Sequence, residues 1–311
     1  MLGRGVAGRL RARGPRSLFS DEVVAAVQQA DFALANLECC ISERGTPAHK
    51  TFVFRAPPVA TEALRHLGVD AVTLANNHAV DFGTDALLDT IAFLDEAGIA
   101  HVGAGADIDT ARRPLVCRIV DVDVGIVGFS DHPAAFAAGP TRPGIAYASI
   151  ERDGVPPWVT ATVRNLRTDV RLVTPHWGPN MVPAPLPYVR RAAATLLDAG
   201  ATLIAGHSAH VFHGVRPSVI YDLGDFVDDY ATDPALRNDL GLLFFVTFER
   251  TADGVRAVRV EAVPLELEFC FTRFATGDAA EWIARRFTHA CRELGTDARR
   301  EDGRLVVEWP A

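Results

Sequence analysis

Four short apolar runs in this 311-residue chain end in residues of the types that ligate metal ions and move protons. Glu38 closes "FALANLE", and Asn76, Asn77 and His78 close "AVTLANNH". His176 closes "VRLVTPH", and His207 and His210 follow "ATLIAG". A carboxylate, an amide oxygen and several imidazoles, with no thiolate among them, are a donor set for borderline divalent transition metals. One histidine at a strand end is ordinarily a satisfied polar residue; four strand ends carrying ligand types together point to one shared rim. A carboxylate such as Glu38 can offset the charge of two cations about 3.5–4 Å apart, while neutral imidazoles fill their shells and leave positions open. His78 lies two residues past Asn76 and three before Asp81, so it can face substrate as a general acid or base with Asp81 fixing its tautomer. Asp81 also suits a helix N-cap, because Gly83 and Thr84 open a periodic apolar stretch.

The elements that would position these residues alternate along the chain. Strand-like runs cover 32–38, 71–76, 124–130, 170–178 and 201–210, and each ends in polar or small residues. Between them, apolar residues at three- and four-residue spacing predict helices near 21–30, 59–67, 84–97, 156–167 and 187–199. This alternation is the signature of a layered α/β sheet. In such sheets ligands gather where the carboxyl ends of strands meet helix N-termini. From Leu242 the pattern becomes antiparallel, with a turn at Asp253 and Gly254, a helix over 279–294 and a closing strand "RLVVEW". Residues 1–265 read as the main domain and 266–311 as a helix–strand extension packed on it.

Composition narrows the function classes. The chain is 49% hydrophobic and 23% charged, ordinary for a globular protein, with a net charge of −8. There is no basic field to hold nucleic acid or an anionic membrane. Of the 31 basic residues, Lys50 is the only lysine, an arginine bias expected of a GC-rich genome. Five cysteines, two of them adjacent at Cys39 and Cys40, show no metal or redox spacing and read as reduced packing thiols. The Arg-rich start lacks the apolar stretch of a secretory signal, and no segment approaches the roughly 18 apolar residues of a membrane span. The expectation is a cytoplasmic protein without membrane insertion.

Taken in order, "NLECCIS", "FVFRAPP", "LANNHAVDFG", "HVGAGADIDTARRP", "VTPHWGPN", "GHSAHVFHGV" and "YDLGDFVDDY" resemble the bacterial CapA, or poly-gamma-glutamate biosynthesis, family, a branch of the calcineurin-like metallophosphoesterases. The resemblance implies a four-layer αββα sandwich and a site holding divalent ions, two of them, of the Mn, Fe or Zn kind. It implies Glu38, Asn76, His176, His207 and His210 as ligands and His78 as the catalytic imidazole, assisted by Asp81. Family members open with a strand and a Gly-Asp stretch whose Asp is a ligand, whereas this chain begins "MLGRGV". The expectation is therefore a fold lacking its first strand, through either an internal start or a weakened first metal position. Such a loss would leave unpaired strand edges and an unfilled slot in the core. Arg55 and Asn77 are candidates to bind substrate. One of Asp222, Asp225, Asp228 and Asp229 could hold the outer nitrogen of His207 or His210, while His132 and His213 are expected to be bystanders. The functional readings are a hydrolase of phosphate esters or amides, a metal-dependent peptide epimerase, and a non-catalytic factor in capsule or polyglutamate synthesis. The partner would be a small-molecule, peptide or polyglutamate substrate.

Overall fold

A computed structural model describes residues 1–252 and 254–309. Three sheets dominate it. The smallest is parallel and consists of β1 (Leu34–Asn36), β2 (Ala71–Thr73) and β3 (Ala100–Val102), with β2 in the centre. The second contains β4 (Leu115–Ile119), β5 (Val122–Ser130), β6 (Val170–His176), β7 (Leu203–Ala205), β8 (Val215–Arg216) and β9 (Val219–Ile220). Its order is β8-β9-β7-β6-β5-β4, parallel through the middle and antiparallel at both edges. The third is antiparallel and comprises β10 (Leu240–Thr251), β11 (Gly254–Glu268), β12 (Phe271–Phe274), β13 (Arg299–Glu301) and β14 (Arg304–Glu308). The expected turn there falls partly on Asp253, which lies outside the described residues, and residue 265 falls inside β11.

Helices cover the outer faces. Over the small sheet lie α1 (Arg4–Arg13), α2 (Asp21–Val27), α3 (Ala60–Leu67) and α4 (Thr84–Glu96), whose apolar stripes join β1 and β2 in one core. In α3 the stripe is Ala60, Ala63, Leu64 and Leu67, and Gly68 ends the helix at φ 94° with its N–H donating to the Leu64 and Arg65 carbonyls. Only glycine adopts that left-handed cap without strain. Over the second sheet lie α5 (Pro157–Asn165) and α6 (Pro187–Asp198), each starting on a proline where no backbone donor is needed. Val102, Leu34, Val124, Ile126 and Val170 pack the two sheets against each other. The layers therefore run helix, sheet, sheet, helix, the arrangement implied by the family resemblance. The last helix, α7 (Gly277–Glu293), packs through Ile283, Phe287 and Cys291 on the antiparallel sheet and on Leu203, Val215 and Ile220 of the second.

Register places the site. Asn36 pairs with Thr73 across β1 and β2, so Glu38 and Asn76 leave the small sheet at the same end. In the second sheet β6 pairs with β5 through His176 and Ser130, and His176 bridges His207 in parallel. Among the described residues β1 pairs only with β2, and β10 only with β11. Between these two edges lies a cavity of about 230 Å³, lined by Leu34, Leu67, Val69, Leu242 and Phe244 and reaching Glu38 and His210 at one end.

Candidate metal and acid–base site

The small-sheet side of the rim is a closed set of hydrogen bonds. Asn36, the last residue of β1, donates from Nδ2 to Glu38 Oε2 at 3.0 Å and accepts at Oδ1 from Asn76 Nδ2 at 2.9 Å. Asn76 also donates to the Leu37 carbonyl at 2.9 Å and accepts at Oδ1 from the His78 backbone N–H at 3.0 Å. His78 Nδ1 lies 2.6 Å from Asp81 Oδ2; an ionised carboxylate only accepts, so the proton is on Nδ1 and Nε2 is left free. That Nε2 points towards Glu38, with Oε1 at 3.8 Å. The ring is further held by Phe54, whose centroid is 4.0 Å away. Asp81 does not cap α4: Gly83 occupies the cap with no side-chain bond, and Asp81 instead serves His78, the Phe54 N–H and Lys50.

The second-sheet side is different. His176 and His207 approach through their Nδ1 atoms at 2.7 Å, so one ring donates and the other accepts. The donating ring then carries a lone pair on Nε2. Both Nε2 atoms are buried without a partner, as is Glu38 Oε1. Burial, with the neighbouring His132, drives His207 down to about 3, and burial with the other histidines drives His176 well below the usual imidazole value. Both rings are thus neutral, the form that ligates metal. Burial opposes ionisation of Glu38, but His210 and His78 outweigh it and keep its carboxyl below the ordinary range.

His210 sits on a strained loop. Ser208 and His210 have φ of 128° and 62°, unusual for residues with a Cβ. The loop is held by Ser208 Oγ donating to the Gly178 carbonyl at 2.8 Å and by the Ala209 N–H donating to Asp222 Oδ2 at 2.8 Å. It begins at Gly206, where a Cβ would come within 2.4 Å of Trp177 Nε1. His210 Nδ1 lies 2.9 Å from Asp225 Oδ1, leaving Nε2 for the rim. Burial disfavours its charge, yet Asp225 and Glu38 prevail and hold it up at about 10. A carboxylate behind the outer nitrogen is the usual support of a metal-bound imidazole.

Among the described residues no group of three or more His, Cys, Asp or Glu side chains is closed around a metal-sized point. The donor atoms nevertheless fit a cation: a buried, ionised carboxylate oxygen and the lone-pair Nε2 of the donating ring are unpaired at one rim, a costly state unless a positive ion satisfies them, and the other ring's Nε2 would join them on releasing its proton. Glu38, His176, His207 and His210 are the side chains that would hold it. Asn76 is at the same rim, its oxygen already engaged by His78.

Two expected substrate residues are placed differently. Asn77 stands beside His78 with Oδ1 buried and unpartnered, while its carbonyl accepts from Lys50 at 2.6 Å. Arg55 donates to the Arg44 carbonyl at 3.1 Å and stacks on Phe82 at 4.2 Å, and none of its hydrogen bonds reaches the rim. His132, expected to stand apart, has its ring centroid 5.1 Å from that of His176 and is paired with Asp131. His213 Nε2 donates to the Val182 carbonyl at 2.9 Å, so Nε2 carries the proton. Asn36 and Lys50 join the site without a distinct sequence signal: Asn36 lies inside the "NLE" run, and Lys50 in a loop without periodicity.

The chain is a layered α/β protein whose strand ends gather a carboxylate and several imidazoles at one rim. Residues 1–230 match the family described as "Bacterial capsule synthesis protein PGA_cap", and the chain belongs to that family. It is 31% identical over 299 residues to the "Probable polyglutamine synthesis accessory protein Rv0574c" of Mycobacterium tuberculosis, covering 90% of this chain and 78% of that protein. It is 27% identical over 237 residues to the "PGA biosynthesis protein CapA" of Bacillus subtilis, covering 74% and 61%. It is also 27% identical over 241 residues to the "Capsule biosynthesis protein CapA" of Bacillus anthracis, covering 74% and 58%. A solved structure titled as a novel phosphatase, from Mycoplasma pneumoniae, aligns with a TM-score of 0.44 and 12% identity over 82% of this chain and 88% of that one. That likeness is too loose to bear on activity. Among the described residues no helix is long and apolar enough to cross a membrane.

Proposed function

We propose that this CapA-related chain is a metal-dependent hydrolase acting on a phosphate ester or amide linkage, with a polyglutamate-type polymer or its building blocks as the natural substrate class. The observation that carries the reading is the division of the rim: unpaired donors on one side, and a His78–Asp81 pair on the other whose free Nε2 is 3.8 Å from Glu38. Glu38, His176, His207 and His210 would hold one or two divalent cations, which supply Lewis-acid polarisation and neutralise charge that develops on the scissile group. Asp81 keeps the His78 proton on Nδ1 and supports the imidazolium, so that Nε2 gives or takes a proton at the reacting group. Asn36 and Asn76 tie Glu38 and His78 into one rigid unit, which fixes the distance between the proton carrier and the cation's carboxylate. The polyglutamate class follows from the family resemblance, and the names of the mycobacterial and Bacillus relatives, which speak of polyglutamine synthesis, PGA biosynthesis and capsule biosynthesis, support a polymer.

The test loads the full chain with Mn²⁺ and follows bis(4-nitrophenyl) phosphate and γ-glutamyl-4-nitroanilide. Release of nitrophenol or nitroaniline that is absent in the His78→Gln variant supports the hydrolase. No release, with deuterium entering a peptide α-carbon, would replace it by an epimerase; neither, with tight polyglutamate binding, would replace it by a non-catalytic factor.

A further inference from the structure

Lys50 is the exception in a chain that otherwise uses arginine for every fixed cation. Its ammonium donates to the Asn77 carbonyl at 2.6 Å and to Asp81 Oδ1 at 2.7 Å, and lies 3.1 Å from His78 Nδ1. The loop that carries it is fastened to the same aspartate, through the Ala48 N–H to the Asp81 carbonyl and the Phe54 N–H to Asp81 Oδ2, both at 2.6 Å. Phe136 covers the ammonium, with its ring centroid 5.4 Å away, and the side chain is only 27% exposed.

These contacts separate two tasks of one carboxylate. Asp81 is fully buried, so an ionised Asp81 needs a compensating charge; His78 alone would supply it only by becoming protonated. An ammonium on Oδ1 neutralises the carboxylate permanently and leaves Oδ2 to accept the His78 Nδ1–H. The same ammonium holds the peptide of Asn77, which leads directly into His78. A planar guanidinium presents its donors as a fork, whereas three tetrahedral N–H bonds can meet a carbonyl and a carboxylate within one small pocket. That difference suits a lysine to this position.

We propose that Lys50 is a positioning residue for the acid–base pair: it locks Asp81 and the Asn77–His78 peptide so that His78 stays in its Nδ1–H tautomer with Nε2 turned to the rim. The proposal rests on His78 being the proton-transfer group, and its test is built to stand apart from that reading. Histidine-ring ¹H–¹⁵N correlation spectra are recorded on the full chain in Zn²⁺, with the His78 signal identified by its loss in His78→Gln. The wild type is expected to show one His78 tautomer with Nδ1–H, and Lys50→Met the loss of that single neutral form, to imidazolium or to a mixture of tautomers. A His78 signal unchanged in Lys50→Met overturns the proposal. Should Lys50→Met fail to fold, lysine labelled at ¹⁵Nζ gives a single side-chain signal in the wild type. It is expected to exchange slowly with water and to shift in Asp81→Asn; a signal at the free-lysine position overturns the proposal. In Mn²⁺ with bis(4-nitrophenyl) phosphate, Lys50→Met is expected to lower kcat by about 10- to 100-fold with KM little changed. Equal loss in both constants would make Lys50 a substrate-binding residue and contradict the proposal. Absence of wild-type turnover would count against the hydrolase, while the two spectra would still decide the role of Lys50.

Discussion

The two sides of the rim are made of similar residues and are in opposite states. On the small-sheet side, Asn36, Asn76, His78, Asp81 and Lys50 exchange hydrogen bonds until nearly every polar atom is spent. On the second-sheet side, His176 and His207 are satisfied only by each other, and their Nε2 atoms are buried without a partner, one with its lone pair open and the other still carrying the proton that a cation would displace. Glu38 belongs to both, with Oε2 held by Asn36 and Oε1 open. A group that moves protons needs its orientation fixed before substrate arrives, so closure suits it. A group that ligates needs a neutral nitrogen with nothing else on it, so openness suits that. On the proposed reading the chemistry is divided between the sheets, and the carboxylate at the join couples the parts.

The comparison is broken most severely through His78. Its replacement by Gln is expected to cost about 10²–10⁴-fold in kcat on the bis(4-nitrophenyl) ester, the range for a positioned acid or base. If turnover stays within a few-fold of wild type, the closed side has no catalytic part. Asp225→Asn tests the open side: Mn²⁺ affinity measured by calorimetry should fall by about 10–100-fold, as when the outer partner of a metal-bound imidazole is lost. The sign with pH also follows. His210 is held protonated by Asp225, at about 10, so a cation must displace that proton. Metal affinity should therefore rise with pH across the neutral range, by about tenfold per unit for one proton released. A flat profile would remove His210 from the ligand set.

The smallest expected effect lies outside the rim and gives a control. His213 is buried, and burial together with Arg286 and Arg190 depresses it to about 4 against 6.5 for a free histidine. A depressed pKa stabilises the fold above the unfolded value and loses that contribution as pH falls from 6.5 towards 4. Urea unfolding at pH 7.5 and pH 5 should show the wild type losing on the order of 1–2 kcal/mol more than His213→Gln on acidification. The same loss in both proteins would show that His213 does not titrate on unfolding.

Much of this was legible in the sequence because strand ends and ligand types coincide there. Glu38, Asn76, His78, His176, His207 and His210 all sit at one rim, since parallel register leaves each strand at the same end of its sheet. Six of the seven helices named above were placed within a few residues by their apolar spacing, while α1 (Arg4–Arg13) has no counterpart in that reading, and the strands proved shorter than their apolar runs: 201–210 contains only the strand Leu203–Ala205. The remainder of that run is the strained loop bearing His210, whose conformation is imposed by Asp222 and Gly178 from elsewhere in the chain. Lys50 lies 31 residues from Asp81 in a loop without periodicity, so nothing local announces the pairing. Arg55 shows the converse: an arginine in a conspicuous motif that the fold uses to hold Arg44 and Phe82. Among the four acidic residues after β9, only coordinates could separate Asp225, which holds His210, from Asp222, which holds the Ala209 N–H.

The most direct test of the division between the sheets is the Mn²⁺ content of three purified full-length chains after equilibration and desalting: wild type, His78→Gln, and the double variant His176→Ala with His207→Ala. The account predicts equal metal in the wild type and His78→Gln and loss of metal in the double variant, all three remaining folded by circular dichroism. Metal lost equally from His78→Gln, or retained by the double variant, would contradict it.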